Sequence, residues 1–131
     1  MESGHDSEYF KRKSVLAVCS AGSDRSKYIS EELNNRGYFA ASGGILKNFN
    51  YVTPEDLSNV GIVVFSSIHE KNIFNQDQKL KSIIARNNIQ VRVLNITEND
   101  KDVAHDSNTI DKLRVEISKQ LDCVGLKDLA N

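Results

Sequence analysis

The chain has no excess of charge of either sign: 17 Lys plus Arg stand against 18 Asp plus Glu, a formal net charge of −1. Without a global field, non-specific binding to nucleic acid or to a membrane surface is not expected, and any anion site has to be local. Long apolar runs are also missing. The longest are about five residues, against the roughly 20 needed to span a bilayer, and the opening MESGHDSEYFKRK lacks the apolar centre of a signal peptide. The expectation is a cytoplasmic protein. Cysteine is scarce: Cys19 and Cys123 lie far apart with no pairing pattern, which suits a reducing compartment. His5, His69 and His105 have no ligand spacing between them, so neither a metal nor another cofactor is expected.

What is present fits one domain of 131 residues. Residues 1–13 have no periodicity and read as a flexible arm, leaving 14–131 as the folded unit. SVLAVC (14–19), GIVVFSS (61–67) and IQVRVLNI (89–96) read as buried strands, and YFAAS (38–42) as another that stops at Gly43-Gly44. Between them the spacing turns helical. Ile29 and Leu33 mark a helix over about 26–36 with Gly37 placed to end it. Thr53 and Pro54 in TPEDL open a short helix as N-cap and first residue, and Leu80, Ile83 and Ile84 mark a third. A last helix over about 107–121 turns Ile110, Leu113, Ile117 and Leu121 to one face, with Asp106 or Ser107 as its cap. This alternation predicts a three-layer α/β fold: a four-stranded parallel sheet of order 2-1-3-4 with helices on both faces. In such a sheet ligands bind at the carboxyl ends of the strands, beside strand 1, where the loop after Cys19 begins.

That loop, Cys19-Ser20-Ala21-Gly22-Ser23-Asp24-Arg25-Ser26, joins a strand to a helix. Successive backbone N–H groups at a helix N-terminus form a concave anion receptor. Gly22 supplies backbone freedom, Ala21 and Ser23 are small enough for close approach, and Arg25 carries a planar fork for two phosphate oxygens. The same groups would stabilise a thiolate at Cys19 and so prepare it to attack phosphorus. A buried structural Cys19 with a surface arginine is the plainer alternative.

At these residues the chain resembles the low-molecular-weight protein tyrosine phosphatase superfamily, especially its short bacterial members, whose motif is Cys-x5-Arg-Ser after the first strand. The resemblance extends to ASGG (41–44), VTPEDLSNVGIVVF and DSNTIDKL (106–113), covering roughly 14–121. It implies a hydrolase of phosphomonoesters, a protein phosphatase acting on phosphotyrosine through a phosphocysteine intermediate. Cys19 would be the nucleophile, Arg25 the phosphate ligand and Ser26 the hydrogen-bond partner of the thiolate. The backbone of Ser20, Ala21, Gly22, Ser23, Asp24 and Arg25 would form the cradle. The substrate would be a phosphorylated protein or a small phosphoester.

The general acid of that family lies in the loop after the fourth strand, and Asp100, six residues before Asp106, takes that place ahead of Glu98 and Asp102. Here the family's neighbouring proline is missing, Gly22 replaces a common Asn, and Ser66-Ser67 replace a usual Met-Glu pair. Asp24 is expected to face outward, capping the helix or pairing with Lys27. Cys123 is expected to be a packing residue, and Tyr28 and Tyr51 to pack in the core or to be exposed by chance, although either tyrosine could flank an aromatic substrate. Two rivals remain. CSAG also resembles the phosphocysteine loop of sugar-phosphotransferase IIB carriers, and a non-catalytic phosphate or phosphopeptide reader would keep the cradle without an effective acid.

Overall fold

Strand β1 (Ser14–Cys19) is buried beyond its first residue, and its alternate side chains serve two different cores. Val15 and Ala17 join one apolar cluster, Leu16 and Val18 the other. Strand β3 (Ile62–Phe65) divides in the same way, Ile62 and Val64 against Val63 and Phe65. A strand that is apolar on both faces must be covered on both, which is why these segments read as continuous apolar runs rather than alternations. The computed structural model describes residues 12–20, 25–46, 50–96 and 107–129. On the first face lie α1 (Arg25–Asn35), through Ile29 and Leu33, and α5 (Ser107–Cys123), through Leu113, Ile117 and Leu121. The second face is covered by α2 (Pro54–Ser58), α3 (Ile68–Phe74) and α4 (Gln78–Arg86), which contribute Leu57, Phe74, Leu80 and Ile83. Phe74 meets Phe65 edge to face at 5.1 Å between ring centres.

Together with β2 (Phe39–Gly44) and β4 (Gln90–Val93), these strands form one parallel sheet of order β2-β1-β3-β4, the expected three-layer α/β architecture. From β1 the chain moves first to β2 on one side and later to β3 on the other, so the switch point lies beside Cys19. Local chemistry fixes the helix ends. Gly37, at φ 98°, closes α1: its N–H donates to Asn34 O at 3.1 Å while Tyr38 N–H donates to Leu33 O at 3.0 Å. Thr53 and Asp56 form a reciprocal capping box ahead of Pro54. Both sheet edges are blunted by a carboxamide from a helix. Asn34 pairs with the N–H and C=O of Ala40 within β2, and Gln120 does the same with Asn95 beyond β4.

Four details differ from the sequence expectation. Gly43 and Gly44 belong to β2 instead of ending it, because a Cβ on Gly43 would stand 2.9 Å from Val52 Cγ2 and only glycine lets that segment close on the strand. Helix α3 was not anticipated: its two buried positions, four apart, are Glu70 and Phe74, and the acidic residue breaks the apolar period. Strand β4 is shorter, although Leu94 and Ile96 still donate backbone bonds to Phe65 and Ser66. The last helix runs to Cys123, whose thiol is exposed and not a core residue, since the buried stripe of α5 ends at Leu121. No helix among the described residues is long and apolar enough to cross a membrane.

Candidate active site

Cys19 ends β1 between Gly44 of β2 and the turn after β3, where Ser66 N–H donates to Val18 O at 2.8 Å. It is fully buried. Helix α1 starts at Arg25, and its second residue, Ser26, is also fully buried and turned back toward the strand end. The Cys19 thiol donates to Ser26 Oγ at 3.2 Å. A hydroxyl both donates and accepts, so the same contact serves a thiolate with the sense of the bond reversed.

The Arg25 side chain is only 11% exposed and lies across the carboxyl ends of three strands. One terminal nitrogen donates to Ile96 O, beyond β4, at 3.2 Å. The other donates to Ser20 Oγ, just after β1, at 3.2 Å, and stands 3.6 Å from Glu70 Oε2, in the first turn of α3 after β3. The pieces of the Cys-x5-Arg-Ser pattern that the structure describes, Cys19, Ser20, Arg25 and Ser26, are therefore brought together. Ala21, Gly22, Ser23 and Asp24 lie outside the described residues, as do Asp100, its rivals Glu98 and Asp102, and His105.

Glu70 is the residue that sequence reasoning missed. It is 1% exposed. Its Oε1 accepts from Ser66 Oγ at 2.8 Å and from Ser67 Oγ, and its Oε2 accepts from Ser20 Oγ at 3.1 Å. Burial pushes this carboxyl up, but the Ser67 and Ser66 hydroxyls, the Arg25 charge and the Ser20 hydroxyl outweigh it and hold it below its usual value. Glu70 is accordingly an anion at neutral pH. The signal was there: Ser67-x-x-Glu70 directly after a strand is a helix-start pattern. The Ser67 side chain caps no helix N–H and bonds the glutamate instead.

Both tyrosines pack, partly buried, against the cores, and each also has a polar or charged partner. Tyr28 is half-buried at the contact of α1 with α5, with the Arg114 guanidinium 5.0 Å from its ring centre. Tyr51 donates its hydroxyl to Asp77 Oδ2 at 2.6 Å, and that bond, with burial, pushes its phenol up to about 12. Tyr51 and Asp77 line a cavity of about 500 Å³ with Ile45, Ile73, Phe74 and Gln76. Ile45 N–H donates to Ser20 O at 2.9 Å, which joins this cavity to the start of the Cys19 loop. No family model, curated protein or solved structure matches the chain.

Proposed function

We propose that the protein is a cysteine-dependent phosphomonoester hydrolase of the low-molecular-weight tyrosine phosphatase type. The observation that carries this reading is the convergence of Cys19, hydrogen-bonded to Ser26, with Arg25 and Ser20 at the switch point of a parallel sheet. The Cys19 sulfur attacks phosphorus, and an S–P bond forms as the P–O bond to the leaving group breaks. Arg25 and the backbone of residues 20–25 neutralise the equatorial oxygens. Asp100, carried from the sequence pattern alone, protonates the leaving oxygen. Its carboxylate then takes a proton from the water that cleaves the S–P bond, releasing phosphate and restoring the thiolate.

The complete burial of Cys19 favours a second reading, a phosphate or phosphopeptide reader that does not turn over. Turnover of an aryl phosphate by wild type, Cys19→Ser, Arg25→Ala and Asp100→Asn decides between them. The hydrolase reading predicts activity abolished by the first substitution and cut by orders of magnitude by the second. Phosphate binding without turnover in wild type supports the reader, and transfer from a phosphohistidine donor without hydrolysis supports a carrier.

A further inference from the structure

The phosphoryl-binding arginine does not stand alone, and its partner is an anion. Glu70 is buried between the ends of β1 and β3, and the groups around its carboxylate converge from three segments: Ser20 after β1, Ser66 and Ser67 after β3, and Arg25 at the start of α1. Each oxygen has two neighbours, the two serines on Oε1, and Ser20 with the more distant Arg25 on Oε2. Three of these contacts are hydrogen bonds, against the roughly four acceptor positions of a carboxylate. Held as an anion by three hydroxyl donors and a nearby cation, it has no proton to give and little tendency to take one, so it serves neither as the general acid nor as the base. The 3.6 Å spacing to Arg25 is an ion pair without a direct hydrogen bond, so the carboxylate attracts the guanidinium as a charge.

We propose that Glu70 is a positioning residue: it holds the Arg25 guanidinium and the Ser20 hydroxyl in place for an incoming phosphoryl group. This rests on the phosphatase reading for its consequence, though not for its geometry. The arrangement has two opposed effects. Fixing the arginine removes the reorganisation that would otherwise accompany the reaction, which helps the chemical step. Placing a buried negative charge near the anion site works against binding of the phosphate itself.

The test is Glu70→Gln, which keeps the shape and removes the charge. Guanidinium ¹⁵N NMR, with the Arg25 resonances assigned through Arg25→Ala, should show restricted rotation in wild type and averaged signals in Glu70→Gln. For aryl phosphate hydrolysis, kcat should fall about 10- to 100-fold, while inorganic phosphate binds about threefold more tightly. In the Arg25→Ala background, Glu70→Gln should lower kcat no further. A merely structural role would move kcat and phosphate affinity down together and leave Arg25 restrained. Either that result or an unchanged kcat overturns the proposal. Ser67→Ala, which removes one anchor of the carboxylate, replaces Glu70→Gln if that variant does not fold. Absence of aryl phosphate turnover in wild type defeats the hydrolase reading, while the NMR comparison still decides the role of Glu70.

Discussion

Replacing Gly43 by alanine probes how closely the sheet and the segment after β2 fit beneath the site. The new Cβ would lie 2.9 Å from Val52 Cγ2 and 3.6 Å from Leu16 Cδ1. The second contact is ordinary, but the first is closer than a methyl pair tolerates. Val52 is buried and β-branched, so its methyl cannot swing aside freely. Overpacking of this kind costs about 2 kcal/mol. For a domain of this size that lowers Tm by roughly 8 °C. Val52→Ala alone leaves a hole and should cost about 2 kcal/mol. In Gly43→Ala/Val52→Ala the alanine methyl enters that hole, so the double variant should be more stable than the sum of the singles predicts by at least about 1 kcal/mol. Urea unfolding followed by circular dichroism supplies all four free energies. Additivity would refute the steric reasoning, as would a Gly43→Ala protein as stable as wild type.

Three further outcomes are expected. Glu70 titrates below 4.5 in the folded protein, so its contribution is in full above that pH and is lost as pH falls through the depressed folded value. Acid unfolding of Glu70→Gln should therefore show a shallower loss of stability below about pH 4.5, and parallel curves for the two proteins would contradict this. The Tyr51 phenol, raised to about 12 by its bond to Asp77, should move back toward 10 in Asp77→Asn, read by NMR titration of the ring. Because a raised phenol favours the protonated form on folding, its contribution is complete below about pH 10 and fades above it. Thr53→Ala removes the side-chain half of the capping box and should cost about 1 kcal/mol in thermal or denaturant unfolding without altering the fold.

Much of the fold was legible because its strands are buried on both faces. Val15 to Cys19 and Ile62 to Phe65 leave no polar position to disguise the run, and the Thr53-Pro54 pair names a helix start from two adjacent residues. Helix α3 was missed, despite its Ser67-x-x-Glu70 start, for the same physical reason that makes it important. One of its two inward positions holds Glu70, whose burial is explained only by Ser20, Ser66, Ser67 and Arg25, and Ser20 lies 50 residues away in sequence. At the site, the nearness of Cys19 and Arg25 could be read from spacing because strand, loop and helix are contiguous there, whereas the contact of Cys19 with Ser26 was implied by the family resemblance. The serines after β3 looked like a departure from a familiar pattern, since their meaning lies in a contact made across the sheet. Cys123 shows the opposite error, a small apolar residue assigned to the core although the helix turns it outward.

Trapping of a phosphoenzyme tests the central claim most directly. Acid quenching of wild-type protein during turnover of a radiolabelled aryl phosphate, followed by peptide mapping, should place the phosphoryl group on Cys19, in a bond labile to iodine as a thiophosphate is. Arg25→Ala should not accumulate it. Hydrolysis that continues at the wild-type rate in Cys19→Ser, or label recovered on any other residue, would contradict the account.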